Sequence, residues 1–312
     1  MARAWRKRMT KNPVVDLLAH PSTRVNEQRL ARAVMGKRVL ITGASYGIGE
    51  ATARLLGHAG ARVILVARTE ERLAALAGEI ARDGGVARYY GADLTNEADI
   101  DRLLARIVEE EGEIDILVNN AGKSIRRSFA LARYRDYERT MALNYLGPVK
   151  LLLGVLPAMR ARGAGQIINV STVGVGFPPA ARWGAYQASK QAFETLFRSV
   201  ELEARHDGVL FSSVYLPLVY TRMSAPTPQL REGMAPGLTP DEAARLLART
   251  IVERKRALAP WWFYPTELAV EMSRKPVRAA LANWYRLTDD SRSARRARGE
   301  TKQENPDDRP DA

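Results

Sequence analysis

"RVLITGASYGIG", residues 38–49, carries a short β-branched run straight into glycines at 43, 47 and 49, and a helical pattern follows. A strand, a glycine-rich turn and a helix in that order are the parts of a dinucleotide-binding unit. Gly43 permits the tight turn, Gly47 lets the backbone approach a pyrophosphate, and Gly49 lets the helix pack closely. The helix N-terminus then offers free N–H groups and the positive end of its dipole to phosphate. A purely structural turn is the competing reading, and the flanking strand and helix weigh against it.

Outward from this unit the same alternation continues. "RVILVA" (62–67), "VARYYGA" (86–92), "IDILVNN" (114–120), "QIINVS" (166–171) and "LFSSVYL" (210–216) read as strands. Between them lie stretches rich in Ala, Leu, Glu and Arg with helical spacing, such as 70–82, 97–111 and 136–162. Nearly continuous apolar strands alternating with helices predict an α/β fold: a doubly wound, Rossmann-type parallel sheet covered on both faces. Residues 239–255 form a further helix, with Thr239 as N-cap and Pro240 at its first position. The expected organisation is a basic N-terminal extension (1–35), one catalytic domain (36–256), an aromatic-rich helical extension (257–288) and a polar, disordered tail (289–312).

Composition narrows the chemistry. The 312 residues, 46% hydrophobic and 27% charged, describe an ordinary globular protein. With no cysteine, disulfides, Cys-ligated zinc and a cysteine nucleophile are excluded, and a reducing, cytoplasmic setting is expected. His20, His58 and His206 lie far apart, so neither a metal site nor a Ser-His-Asp triad is expected. No run of 18 apolar residues predicts a membrane span, and "MARAWRKRMTK" lacks the apolar core of a secretory signal. The net charge of +13 is concentrated at the ends; without a nucleic-acid motif these read as solvated tails, and no nucleic-acid partner is expected.

Two local patterns carry chemistry. The second strand ends in Arg68, where an NAD site usually has a carboxylate; arginine suits the 2′-phosphate of NADP(H), although a solvated residue is the plainer reading. In "WGAYQASK" (183–190), Tyr186 and Lys190 stand four positions apart and share one helix face. A nearby cation favours the phenolate and brings a phenol toward the working range for proton transfer. A half-buried Tyr beside a solvated Lys would show the same spacing.

Together with "ADL" (92–94), "NNAG" (119–122), Asn144 in "LNYLG" and "NVST" (169–172), these motifs resemble the short-chain dehydrogenase/reductase family over roughly residues 36 to 255. The resemblance implies that Gly43, Ser45, Tyr46, Gly47, Ile48 and Gly49 hold the cofactor phosphates. It also implies that Asp93 and Leu94 lie against the adenine and that Asn120, Ala121 and Gly122 run beside the cofactor. Asn144 would hold a proton-relay water, Tyr186 would donate the proton, and Lys190 would bind the ribose and lower the Tyr186 pKa. Pro217, Val219 and Thr221 would meet the nicotinamide. The family usually has Ser-Ser at the end of the fifth strand; here the pair is Ser171-Thr172, and Tyr186 follows Thr172 by fourteen positions rather than the usual thirteen. Strand alignment favours Thr172 as the carbonyl-polarising hydroxyl, with Ser171 as the alternative. The usual Pro-Gly after the sixth strand is Pro217-Leu218.

Finer likeness in "NNAGKSIRRSF", "GQIINVSTVGV" and "LPLVYTRMSAPT" is to bacterial fatty acyl-CoA reductases of this fold, which reduce long-chain acyl-CoA to fatty aldehyde. An NADPH-dependent ketone, 3-oxoacyl or alcohol oxidoreductase is the alternative. Lys123, Arg126 and Arg127 follow the fourth strand, where they would clamp CoA phosphates or the cofactor's phosphate, or form a solvated loop. Trp261, Trp262, Phe263, Tyr264 and Trp284 read as core or dimer packing, a lid over an acyl chain, or a peripheral membrane contact. A homo-oligomer is expected.

Overall fold

The computed structural model describes residues 21–225 and 236–273, with residues 276, 280 and 285 beyond them. The first twenty residues, Trp284 and the expected tail lie outside the described residues. β1 (Arg38–Thr42) is buried at Val39, Leu40 and Ile41, each fully removed from solvent. It pairs in parallel with β2 (Arg62–Ala67) on one side and β4 (Ile116–Asn119) on the other. With β3 (Val86–Gly91), β5 (Gly165–Thr172), β6 (Val209–Leu216) and β7 (Ala257–Leu258), the sheet runs β3-β2-β1-β4-β5-β6-β7, every pair parallel. Strand order reverses between β1 and β4, and the crevice beyond their carboxyl ends is where such sheets take ligands.

Successive side chains on a strand point to opposite faces, so each strand supplies two cores. Val39, Ile41, Val63 and Leu65 pack against α1 (Glu27–Val34), α2 (Gly47–His58), α3 (Glu70–Arg82) and α8 (Pro240–Glu253). Leu40, Ile64, Val66 and Leu117 pack against α4 (Glu97–Glu111), α6 (Gly147–Ala161) and α7 (Gly184–Glu203). This is the doubly wound arrangement expected from the alternation of strands and helices. On α7, Phe193 and Phe197 are both 1% exposed, and Phe197 meets Phe211 of β6 edge-on at 5.1 Å, which fixes the helix on the sheet.

Several expectations need correction. Residues 27–34 were assigned to the N-terminal extension, yet α1 belongs to the core: Asn26 caps it by accepting from the Arg29 N–H at 2.9 Å, and Leu30 and Val34 are buried. The sheet gains a seventh strand, β7, just past the expected domain boundary at 256. The expected cap at Thr239 is extended by Glu242, the two forming a reciprocal capping box on α8. The expected helix 136–162 is α5 (Tyr134–Met141), a π-helical segment (Ala142–Leu146) and α6 in unbroken succession. By length and composition the run Tyr134–Ala161 is apolar enough to cross a membrane; here Leu151, Leu152, Val155 and Met159 pack into the core beneath the sheet.

Candidate active site

At the switch point, Thr42 ties the glycine turn to the segment after β4. Its Oγ1 accepts from the Asn120 and Ala121 backbone N–H groups, both at 2.9 Å, and donates to the Val118 carbonyl at 3.3 Å. The Asn120 side chain returns the link by donating to the Thr42 carbonyl at 2.9 Å. The two glycine-bearing turns are therefore one unit, and Thr42 is a member the motifs did not single out. A Cβ at Gly43 would lie 2.9 Å from the Ala121 Cα, and one at Gly49 only 2.3 Å from the Gly43 carbonyl oxygen, so both positions demand glycine by contact. Gly47 has φ +62°, and a Cβ there would press on the Thr221 methyl at 3.2 Å. Tyr46, the N-cap of α2, provides no side-chain cap, so that helix start keeps N–H donors for another acceptor. Ser45 and Ile48 are half-buried beside it. These features fit a dinucleotide pyrophosphate.

Arg68 is exposed at the end of β2, and its charge acts on Asp93. Desolvation alone would raise the Asp93 carboxyl, but two hydrogen bonds from Thr95 and the Arg68 guanidinium hold it below the ordinary value. Leu94, 4% exposed, packs in the core with Val66 and Ile100. Two guanidinium groups lie over the Tyr46 ring, Arg72 at 4.7 Å and Arg222 at 5.2 Å from its centre. After β6, half-buried Pro217 leads to Val219, which bridges to Leu238. The Thr221 N–H donates to Ser224 Oγ at 2.9 Å, which turns the segment back toward Gly47.

Beyond the carboxyl end of β5, the hydroxyl of Thr172 stands beside the phenol of Tyr186 and accepts from the Gly174 N–H at 3.2 Å. The Ser171 Oγ is buried without a hydrogen-bond partner among the described residues, so of the two candidate hydroxyls Thr172 is the one that meets the phenol. One turn along α7, Lys190 is 7% exposed and its Nζ donates to the Val170 carbonyl at 2.9 Å. Asn144 sits in the π-helical segment, a local widening common at functional sites. Its Oδ1 accepts from the Lys123 N–H at 2.8 Å, and its Nδ2 donates to the Lys123 carbonyl and Ser189 Oγ, each at 2.9 Å. A Cβ on Gly122 would lie 3.3 Å from Asn144 Oδ1 and 3.7 Å from Lys190 Nζ, so these groups converge on the "NNAG" turn.

The expected lowering of the phenol is not what this arrangement produces. Burial pushes Tyr186 up to about 12, against the opposing effect of the Thr172 hydroxyl. Burial also draws Lys190 down to about 8, opposed by the charge of Glu194. At neutral pH the phenol thus keeps its proton, the form a proton donor requires. Gln187, another residue outside the expected set, braces the loop between Thr172 and Tyr186: it donates to the Gly174 carbonyl at 3.0 Å and accepts from the Ala180 N–H at 2.7 Å.

The basic loop separates into different roles. Lys123 is exposed, with its backbone locked to Asn144. Arg126 is half-buried. Arg127 is not offered to a phosphate: its guanidinium, 10% exposed, lies 2.6 Å from Asp136, itself 5% exposed. Arg133 completes the cluster on Asp136 at 3.2 Å. Across the loop after β5, Phe177 packs on Trp262 at 5.8 Å and Phe263 at 6.5 Å, while Phe263 stacks on Tyr215 at 4.7 Å. Phe263 is core, as one reading of that aromatic run had it, and Trp262 packs on Phe177 of the loop that follows Thr172. Among the described residues, no three His, Asp or Glu side chains gather as a metal site would need.

This geometry agrees with what the chain is similar to. The family model for short chain dehydrogenases matches residues 37–231. The chain is 46% identical over 243 residues to an uncharacterized oxidoreductase of Mycobacterium tuberculosis, covering 76% of this chain and 70% of that protein. It is 44% identical over 228 residues to a fatty acyl-CoA reductase of Acinetobacter baylyi, covering 72% and 76%. Among solved structures, a metagenomic short-chain oxidoreductase in complex with NADP superimposes with a TM-score of 0.63 at 32% identity, over 73% of this chain and 96% of that one. The chain belongs to the short-chain dehydrogenase family of oxidoreductases.

Proposed function

We propose that the protein is an NADPH-dependent reductase of long-chain fatty acyl-CoA, forming the fatty aldehyde and free CoA thiol. The observation that carries this reading is the placing of the Thr172 hydroxyl by the Tyr186 phenol beside Lys190, with Phe177 of the intervening loop packed on Trp262 of the segment after β7. The likeness to the Acinetobacter baylyi fatty acyl-CoA reductase and to an NADP-bound oxidoreductase supports the substrate and cofactor.

The glycine turn, the N-terminus of α2, Asn120 to Gly122, Arg68 and Thr221 would hold NADP(H), with Arg68 on the 2′-phosphate. The bound cofactor supplies the hydride. Thr172 donates its hydroxyl hydrogen to the thioester carbonyl oxygen and polarises it. Tyr186, protonated at neutral pH, gives its proton to that oxygen as the carbonyl carbon gains the hydride, and Lys190 beside it stabilises the phenolate left behind. The hemithioacetal then returns its hydroxyl proton to the phenolate as its C–S bond breaks, leaving the aldehyde and a CoA thiolate that takes a proton from solvent. Asn144 keeps the proton path ordered through Lys123 and Ser189. No cysteine is available to form an acyl-enzyme thioester, so the substrate is reduced while bound noncovalently. An apolar chain laid along Phe177 and Trp262 gains about 0.8 kcal/mol per buried methylene, which favours long acyl groups.

Exposed Trp261, Leu268 and Met272 are the side chains a peripheral membrane contact would use, and exposed Leu146 and Leu153 those of a homo-oligomeric contact. The test is palmitoyl-CoA with NADPH, following aldehyde and free thiol together. Equal release of both supports the reading; reduction of a ketone or 3-oxo thioester without thiol release would overturn it.

A further inference from the structure

The groups assigned to proton transfer leave one buried charge unexplained. Glu194 is 1% exposed, one turn beyond Lys190 and two beyond Tyr186 on the same face of α7. Its Oε2 accepts from Asn169 Nδ2 at 2.9 Å and Ser213 Oγ at 3.2 Å. Its Oε1 accepts from the Tyr215 hydroxyl at 2.5 Å and Arg198 Nε at 3.1 Å. A carboxylate withdrawn from water persists only where donors saturate it, and donors from β5, β6 and α7 do so here. Asn169 is the residue before Val170, whose carbonyl takes the Lys190 ammonium. One side chain therefore joins the helix bearing Tyr186 and Lys190 to the strand that ends in Thr172.

We propose that Glu194 is a positioning residue for the Tyr186–Lys190 pair: its buried charge holds Lys190 as an ammonium, and its hydrogen bonds hold α7 in register on β5. This rests on Tyr186 and Lys190 being the acid–base pair proposed above. Burial alone favours a neutral Lys190 amine, and a neutral amine no longer favours the phenolate. Glu194 opposes that loss. Among the described residues, the other titratable and charged groups facing the network are Arg198 on α7, Tyr215 from β6 and Tyr264 of the helix Phe263–Met272, with Glu267 acting on Tyr264. Burial raises Tyr215 well above the ordinary phenol range, with Glu194 adding to the effect, so Tyr215 stays neutral and donates. Arg198 is the cation among them, and its half-exposed guanidinium partly offsets the field of Glu194 at Lys190.

The experiment is an NMR titration of the full chain labelled with 13C at lysine Cε, with the Lys190 signal assigned from Lys190→Ala. It needs neither cofactor nor substrate. Lys190 is expected to titrate near pH 8 in the native chain, and about one unit lower in Glu194→Gln. Glu194→Asp, which keeps the charge, should stay close to the native midpoint even where it lowers Tm, and Arg198→Gln should move the midpoint upward. An unchanged midpoint in Glu194→Gln, or an equal shift in Glu194→Asp, would make Glu194 a packing residue only and overturn the proposal. Should Glu194→Gln fail to fold, Arg198→Gln decides: an upward shift supports the proposal, and no shift or a downward one overturns it. In an active preparation, the alkaline limb of the kcat/KM profile should move with the Lys190 midpoint in each variant. Shifted midpoints without NADPH oxidation would uphold the electrostatic role of Glu194 and count against the proposed activity; turnover with an unmoved midpoint would do the reverse.

Discussion

Arg127 and Asp136 approach to 2.6 Å with both side chains nearly withdrawn from solvent. Removing one member of such a pair strands the other charge, at a cost of about 3–5 kcal/mol. Asp136→Ala, which strands buried Arg127, should lower the unfolding free energy in urea by that order; Arg127→Ala should cost less, because Arg133 still pairs with Asp136, and the double variant should recover part of the Asp136→Ala loss. If Arg127→Ala instead melts like the native chain and weakens only acyl-CoA binding, Arg127 is a phosphate contact after all.

The same pair sets an acid limit. Desolvation would raise the Asp136 carboxyl, but Arg133 and Arg127 hold it below its ordinary value. A depressed folded value contributes stability that is fully present above the unfolded value, about 3.9, and is lost as pH falls through the folded one. Stability should therefore decline below about pH 4, and the decline should be shallower in Arg127→Ala. Urea titrations at a series of acid pH values would check this; identical slopes in the two proteins would contradict it.

At the reacting end, Thr172→Val should reduce kcat more than Ser171→Ala, because only Thr172 meets the phenol. Tyr186→Phe should cost about 10²–10⁴-fold in turnover, the usual range for a general acid, with NADPH affinity retained. Steady-state kinetics with fluorescence-monitored NADPH binding would separate the two effects. A larger loss in Ser171→Ala would reassign the polarising hydroxyl.

Cofactor choice should follow Arg68. A charge-assisted hydrogen bond is worth about 1.5–3 kcal/mol, so Arg68→Ala should raise the NADPH KM roughly ten- to a hundredfold and leave NADH nearly unchanged. Equal effects on both cofactors would mean that Arg68 does not read the 2′-phosphate.

The aromatic wall should govern chain length. A Cβ on Gly176 would come 2.5 Å from the Phe263 ring, so the loop after β5 and the C-terminal segment are packed tightly together. Phe177→Ala should raise KM for palmitoyl-CoA more than for a short-chain thioester, measured across a homologous acyl-CoA series. A uniform rise across that series would place the acyl chain elsewhere.

The amino-acid order alone determined the parallel sheet, the glycine turn and the shared face of Tyr186 and Lys190. Each is local: apolar runs of strand length, a strand meeting a helix at glycines, and a spacing of four within one helix. Tertiary structure decided the rest. Ser171 and Thr172 are neighbours of similar chemistry, and only the path of the loop braced by Gln187 selects which hydroxyl reaches the phenol. Arg126 and Arg127 look alike in sequence, and a carboxylate from α5 makes Arg127 structural. α1 and β7 were hidden because short segments become ordered by what they pack against. Glu194 reads as an ordinary helix-surface acid until strands β5 and β6 close over it with Asn169, Ser213 and Tyr215. Charge partners and burial depend on residues distant in the chain, so no spacing along it could reveal them.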